Sequence, residues 1–584
     1  MNTIVEEIKK RAEPSYWPKI EKAVNFAIEA HKGQKRLTGE DYVRHPLRTA
    51  LILSEFKFGP KTLSAAILHD IHEDAPITLE TIEKNFGKDV RFLVEGVSKL
   101  SKLKYRGSER QVENLRKLFI VMAQDIRIIL IKLADRLDNL NTLYVLEPEK
   151  AKRIAMETLE IYAPIAHRLG MGDLKGKLED AAFSYAFPKE FEWIKTNFQD
   201  EYDQSQKYLE KIKPLVRKEL VKNGVIPLEI HSRPKRYYSL YKKLLKYKMD
   251  ITKIYDLVAL RIVVQDIEQC YLALAIIHKL WKPMIGRIKD YIALPKPNGY
   301  RSLHTTVFCV DGRITEFQIR TKQMHDEAEQ GVAAHWRYSE KKGLKKYIPG
   351  PAKKELSWIN QLREWQKGFK QTSPDDFLES LRIDFFKDRI FVFTPKGDVV
   401  ELPEDATPID FAYNIHSNIG DHCTGAKVNG KLVHFNSRLR NGDIIEIMTN
   451  PKSQPSRDWL RFARTGLAKN RIKKFLRDSQ EKKEKSKLGV LKQFSQKFIF
   501  EKIAPIPPKA GETKKNGKII ITGEKNISHN LAKCCKPKKG DEIIGYITKT
   551  KGISIHKKDC KNLKILKKKS PSKLVEATWN GVNP

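Results

Sequence analysis

The sequence predicts a multidomain protein whose first third is all-α and whose middle is α/β. The chain has 584 residues, and single hydrophobic cores rarely grow past about 300. Apolar residues recur at helical spacing up to about residue 200, and from about 225 the pattern shifts to short β-rich runs separated by helical stretches. Two breaks follow: a basic, Gly/Pro-containing stretch near residue 354 and a Pro/Lys/Gly-rich stretch at 505–517. The expected layout is an all-α region at 1–200, an α/β region at 201–355, a linker at 356–385 and a small α+β module at 386–450. A basic helical region at 451–505 and a cysteine-bearing module with a tail at 506–584 complete it.

In the all-α region, TLSAAILHD sets Leu63, Ala66 and Ile67 on one helical face just ahead of His69, and IRIILIKLAD repeats the pattern ahead of Asp135. Thr38-Gly39, Pro76 and Pro148 mark turns. His45, His69, Asp70 and Asp135 are spaced like the ligands of a metal-dependent phosphohydrolase, and both ligand sets are expected on helices. Two imidazoles and two carboxylates suit a borderline divalent cation such as Mn²⁺, without the thiolates that would select zinc or an iron–sulfur cluster. A lone His-Asp pair is more often a hydrogen-bonded surface pair, but here the neighbours carry weight. Glu73 and Asp74 follow one turn on, placed to deprotonate the attacking water. Asn139 and Thr142 follow Asp135 at helical spacing, placed to hold a nucleotide beside the metal.

In the α/β region ALRIVV, HTTVFCV and TEFQIRT read as strands, and YSLYKKLLKYK and QCYLALAIIHKLW as helices. Asn298, Gly299 and Tyr300 bring polar and aromatic groups together on one loop between two Lys/Pro pairs. Residues 386–449 alternate like a small sheet with one helix. Beyond them Arg461, Arg464, Lys469, Arg471, Lys473, Lys474 and Arg477 recur among Trp459, Phe462 and Phe475, a pattern that favours nucleic-acid contact over a merely solvated helix.

Composition agrees. Lys+Arg number 110 against 72 Asp+Glu, a net +38, which exceeds what solubility requires and points to a polyanionic partner, nucleic acid foremost. The start, MNTIVEEIKKR, carries no signal peptide, and no apolar run approaches the roughly 20 residues that span a bilayer. A cytoplasmic protein without membrane contact is expected. Six cysteines in so long a chain argue against a disulfide framework. Cys270, Cys309 and Cys423 are scattered as core residues usually are, whereas Cys534, Cys535 and Cys560 cluster with His556.

The segment RIKDYIALPKPNGYRSLHTTV, followed by TEFQIRT and MHDEAEQGVAAHW and preceded by SRPKRYYSLYKK and IYDLVALRIV, resembles the synthetase domain of the RelA/SpoT family. HKGQKRLTGEDYVRHP, LHDIHED and KLADRLDNLNTL resemble that family's HD hydrolase domain. The resemblance covers nearly the whole chain. It implies a long, bifunctional Rel-type enzyme with an all-α HD-type hydrolase domain and an α/β nucleotidyltransferase-like synthetase domain. Such an enzyme moves pyrophosphate from ATP to the 3′-hydroxyl of GDP or GTP, and removes it again from (p)ppGpp.

By motif position Arg233 and Arg261 would sandwich the adenine of ATP, with Lys235 and Lys243 on its phosphates, since guanidinium planes stack on bases and ammonium groups act as point charges. Asp256 would hold Mg²⁺. Glu316 would accept the proton of the acceptor 3′-hydroxyl, Tyr300 would stack on its guanine with His304 nearby, and Gly299 lets the backbone approach closely. Lys289 belongs to Arg287-Ile288-Lys289-Asp290, the basic form of a motif found in bifunctional members. In the hydrolase, Arg36 would contact the guanine nucleotide, and Glu73 and Asp74 would be the water-activating pair. Asp138 stands where many members have His, and Leu37 replaces a polar or basic residue.

Residues 386–449 resemble a TGS domain, which implies contact with the acceptor end of uncharged tRNA on the ribosome, with His416 at the tRNA-contacting position. NLAKCCKPKKGDEIIGYITKTKGISIHKKDC resembles the family's zinc-finger-like module. Cys534, Cys535, His556 and Cys560 could supply a closed Zn²⁺ site, with His556 and Cys560 at helical i, i+4 spacing. The given sequence stops at Pro584, before the place of the family's ACT domain, through either natural lack of that domain or truncation, so amino-acid sensing through one is not assumed. The reading is a ribosome-associated stringent-response enzyme whose opposed activities exclude one another. Its alternatives are an essentially monofunctional enzyme with one degraded site and an RNA-binding regulator that only senses nucleotides.

Overall fold

The computed structural model describes residues 1–101, 108–250, 254, 257–296, 298–334, 362, 373–387, 389–480, 519–521, 529–548, 553–569 and 573–579. The chain divides into two compact units, Met1–Ser486 and Lys487–Pro584.

The first unit opens with helices packed on one core that includes Leu47, Leu63, Leu93, Ile129 and Leu178. Four elements position its site: the helices Arg44–Ser54, Pro60–Ile67, Ile71–Asp74 and Ile126–Leu140. Ile126–Leu140 is buried along most of its surface, with Ile128, Ile129, Leu130, Ile131 and Leu133 in the core and the polar Lys132, Asp135 and Asp138 buried beside them, and so runs through the middle of the bundle. The helix Pro188–Lys222 passes straight across residue 200. Its buried face, Ile194, Phe198, Leu209, Val216 and Leu220, packs with the sheet that follows.

That sheet has the order β1-β2-β5-β4-β3, from β1 Glu229–Pro234, β2 Val258–Val264, β3 Lys289–Asp290, β4 Leu303–Phe308 and β5 Ile314–Thr321. β2 and β5 are parallel, which requires a crossover, and the helix Ile267–Leu280 lies along it. All other pairs are antiparallel. The period of two divides the sheet cleanly. Leu260, Ile262, Phe317, Ile319 and Leu303 join the core, while Glu316, Gln318 and Arg320 share the opposite face of β5 and Arg261 lies beside Gln318 in register.

Residues 374–386 form the helix Pro374–Leu381 and the wider turn Arg382–Phe386, and Phe377, Leu381 and Phe385 enter the core of the opening helices. The end of the expected linker is therefore packed structure. The small module follows as strands Arg389–Phe393 and Val399–Pro403, helix Pro408–Ile415, and strands Cys423–Val428, Lys431–Val433 and Ile445–Thr449. Trp459, expected as a nucleic-acid platform, is 8% exposed and packs with Ile409, Tyr413 and Cys423, because burying the indole in this core gains more than leaving it in water. Asp384 accepts from the backbone of Gly466 and Leu467 at the start of the helix 466–480, a charge-assisted helix cap.

In the second unit the strands Ile519–Ile521, His529–Leu531, Ile543–Ile547, Ile553–Lys557 and Leu574–Trp579 make one sheet. His556 lies in the strand Ile553–Lys557 and Cys560 precedes the helix Lys561–Lys569, so their spacing is a strand end plus a turn rather than one helical turn. The Pro/Lys/Gly stretch 505–517 and the basic stretch near 354 lie outside the described residues.

Candidate active sites

The first cluster is built where helices end. His69 and Asp70 lie in the turn between Pro60–Ile67 and Ile71–Asp74, not on a helix. The break lets adjacent side chains reach one point. His45 begins its helix and Asp135 sits inside Ile126–Leu140. His45 Nε2 is 3.1 Å from Asp135 Oδ1 and 3.4 Å from Asp70 Oδ2. His69 Nε2 is 3.1 Å from Asp70 Oδ1 and 3.8 Å from Asp135 Oδ1. His69 is fully buried, and its Nδ1 faces the Ala66 carbonyl at 2.8 Å. A carbonyl only accepts, so Nδ1 carries a proton and Nε2 is the ring nitrogen turned toward Asp70 and Asp135. That Nε2 makes no hydrogen bond among the described residues.

The carboxylates make this point favour positive charge. Burial disfavours charge on His45, yet hydrogen bonds to Asp135, Asp138 and Asp70 outweigh it and hold the imidazole well above its ordinary range. Burial would raise Asp135 too, but Lys132, His45 and His69 hold it well below the carboxylate range. The donors fit a divalent cation of the Mn²⁺ kind in type, number and convergence.

Around them, Tyr42 donates to Asp74 Oδ2 at 2.7 Å and approaches Asp70 Oδ2 at 3.2 Å, and its ring stacks on His31. Burial and the Asp70 charge push the Glu73 carboxyl up. Arg36 stands in a tight turn closed by Gly39 at φ 80° and by Lys35 on Asp41. It donates to Asn139 Oδ1 at 2.6 Å, and Asn139 donates to Asp135 Oδ1 at 2.6 Å. Thr142 donates to the Asn139 carbonyl at 3.1 Å. A cleft of about 550 Å³ opens here, lined by Lys35, Arg36, Lys132, Asp135, Arg136, Asn139, Thr142 and Lys150 among others. Tyr42, Lys132 and Arg48 were not foreseen. Lys132, one turn before Asp135 and 2.7 Å from it, was visible by spacing, whereas Tyr42 and Arg48 carry no local signal.

The second cluster lies on the polar face of the mixed sheet. Tyr300 OH is 2.7 Å from His304 Nε2, and His304 Nδ1 is 3.2 Å from Glu316 Oε1. Gln318 donates to Glu316 at 2.9 Å and Arg261 donates to Glu329 at 2.9 Å. Burial would raise the Tyr300 hydroxyl, but His304 and the buried Arg320, 5.4 Å from the ring, draw it down to about 8. Arg233, Lys235 and Arg261 line a cleft of about 510 Å³ together with Gly172, Asp173 and Asp180 of the helix Gly172–Ala186. Lys243 sits on the helix Tyr237–Lys246 and Lys289 on the edge strand β3, and neither lines that cleft. Asp256 lies outside the described residues. Gln318, Arg320 and Glu329 were missed; the period-two spacing of Gln318 and Arg320 from Glu316 was a signal, whereas Glu329 meets Arg261 across 68 positions and carries none.

Two further groups are placed. His416 is exposed and accepts from the Asn418 amide at 3.2 Å. Cys534 Sγ, Cys535 Sγ, Cys560 Sγ and His556 Nδ1 converge, with contacts from 3.4 to 4.0 Å. No helix among the described residues is long and apolar enough to cross a membrane.

Comparison with known proteins matches residues 23–172 to the HD domain, 232–343 to a region found in RelA/SpoT proteins, 390–449 to the TGS domain and 519–580 to the RelA/SpoT RIS domain. The chain is 43% identical to a guanosine-3′,5′-bis(diphosphate) 3′-pyrophosphohydrolase of Aquifex aeolicus, over 96% of this chain and 85% of that protein. It is 38% identical to a GTP pyrophosphokinase of Myxococcus xanthus, over 96% and 84%. It is also 38% identical to the bifunctional (p)ppGpp synthase/hydrolase SpoT of Escherichia coli, over 96% and 85%.

Proposed function

Because the chain belongs to the RelA/SpoT family and is a (p)ppGpp synthase and hydrolase, we propose that the His45 cluster removes the 3′-pyrophosphate and that the sheet face around Glu316 installs it. The observation that carries the hydrolase assignment is the meeting of two buried imidazoles and two carboxylates within 3.8 Å.

His45, His69, Asp70 and Asp135 would hold Mn²⁺, which supplies Lewis-acid polarisation of the pyrophosphate. Glu73, its carboxyl raised by burial, takes a proton from the attacking water, and Asp74 is steadied beside it by Tyr42. Arg36 and Asn139 hold the guanine nucleotide, with Thr142 fixing the helix end. The cationic lining of the cleft attracts a ligand that carries several phosphates.

In synthesis, Glu316 takes the proton of the acceptor 3′-hydroxyl as that oxygen attacks the β-phosphorus of ATP and AMP leaves. Tyr300 stacks on the acceptor guanine beside His304. Arg233 and Arg261 flank the adenine and Lys235 meets the phosphates from the cleft's lining, while Lys243 and Lys289, which lie outside that lining, would reach the phosphates from the helix Tyr237–Lys246 and from β3, and Asp256 would hold Mg²⁺. The four donors Cys534, Cys535, His556 and Cys560 suit Zn²⁺, whose bonds of about 2.3 Å place tetrahedral ligands this far apart. The exposed His416, the basic helix 466–480 and the net +38 support contact with uncharged tRNA and the ribosome.

A swap of activities tests the assignment. Asp70→Ala is expected to abolish (p)ppGpp hydrolysis and spare synthesis, and Glu316→Gln to do the reverse. Loss of both activities from either change would overturn the reading.

A further inference from the structure

Asp138 lies one turn past Asp135 and is 1% exposed, at the position where the sequence departs from the resemblance. Its carboxylate gathers three donors. Oδ2 is 2.7 Å from His45 Nδ1 and 3.5 Å from Arg36 Nη1, and Oδ1 accepts from Arg48 Nε at 2.6 Å. A neutral imidazole has one acceptor nitrogen and could serve only one of these donors. A carboxylate serves all three.

These contacts close a ring. From His45 Nε2 it passes to Asp135 at 3.1 Å, and through Asn139 at 2.6 Å to Arg36 at 2.6 Å. Arg36 returns through Asp138 to His45 Nδ1. Resting on the metal reading above, we propose that Asp138 is a positioning residue of the hydrolase. It holds His45 as the Nδ1–H tautomer, so that the Nε2 lone pair faces the cation, and it ties the ligand set to the nucleotide-reading Arg36. A metal-ligating imidazole whose other nitrogen donates to a carboxylate is more basic and better oriented, and removing such a partner typically costs about 10–100-fold in metal affinity. Because Arg36 shares the carboxylate, whatever fixes one side of the ring fixes the other.

The test is Mn²⁺ binding to the full chain without nucleotide, read from the electron paramagnetic resonance signal of free Mn²⁺. Asp70→Ala identifies the hydrolase site as the binding event it removes. Asp138→Asn, equal in size but uncharged, is expected to weaken that event by about 10–100-fold. If Asp138→Asn loses its cooperative melting transition, Asp138→Ser, which cannot overpack the site, is read the same way. Affinity in the melting-competent variant within about twofold of the unmodified chain overturns the proposal, since a partner that matters costs at least about tenfold. If instead Asp70→Ala leaves Mn²⁺ binding unchanged, the metal reading itself falls and the proposal falls with it.

Discussion

Tyr300 brings two things to the synthetase, a ring and a hydroxyl, and the geometry separates them. On the proposed reading the ring would be the stacking surface, while the hydroxyl meets His304 at 2.7 Å and through it Glu316 at 3.2 Å. Tyr300→Phe keeps the first and deletes the second. A hydrogen bond of this kind contributes about 1–2 kcal/mol, so the kcat of synthesis is expected to fall about 5–30-fold. The KM for GDP should stay within about twofold, because ground-state stacking survives. Steady-state kinetics decide, and a rise in KM with unchanged kcat would place the hydroxyl in acceptor binding instead. That His45, His69, Asp70 and Asp135 would meet was legible because few residue types can hold a divalent cation, which singles them out as a candidate set. Tyr42, Arg48 and the role of Asp138 were not, because each joins the site only through partners roughly 30 to 100 positions away in the chain. Trp459 shows the reverse error, since its aromatic character was plain and its burial was not.

Elements were legible wherever periodicity was strong. The β-rich runs became β2, β4 and β5, and the polar alternation along β5 puts Glu316, Gln318 and Arg320 on one face. Breaks were harder, because a helix that stops after Ile67 and restarts at Ile71 carries the same apolar pattern as a continuous one. The joint between the two catalytic regions was invisible. Gly331, which ends the helix Lys322–Gln330, has φ 55°, and a Cβ there would sit 2.2 Å from the Leu169 carbonyl oxygen and 2.5 Å from the Gly170 carbonyl carbon. Both obstacles are backbone and cannot swing away. Gly331→Ala is therefore expected to destabilise the first unit by at least about 1–3 kcal/mol, the cost of the backbone conformation alone. Gly176→Ala would meet the flexible end of Arg236 and should cost less. Thermal midpoints of the two variants compare the costs, and equal midpoints would mean that the joint yields.

At the scale of the whole first unit, the helix Gly172–Ala186 packs into the first helical core and also lines the cleft of the mixed sheet. The cleft of Arg233 and Arg261 is lined by Asp173 and Asp180 of that helix, Arg236 bridges to both, and Asn298 of the acceptor loop donates to the His167 carbonyl at 3.3 Å. The order of domains could be read from motifs, but this seam could not, since its contacts pair ordinary residues across long sequence separations. The seam also sets a pH dependence. Burial, reinforced by Lys175, Lys296, Lys242 and Arg168, pushes the His167 side chain down to about 3 from its usual 6.5. The folded state thus keeps His167 neutral where the unfolded chain protonates it. Between pH 6.5 and 3 the unfolded state binds more protons, so stability falls as pH falls, by up to about 1.4 kcal/mol per unit, and is unaffected above pH 7. His167→Gln removes this contribution alone. Its melting temperature relative to the unmodified chain is expected to be constant above pH 7 and to rise steadily from pH 6.5 to 4. A difference that stays flat across that range would mean that His167 is protonated at the seam, with its charge balanced by an acidic neighbour.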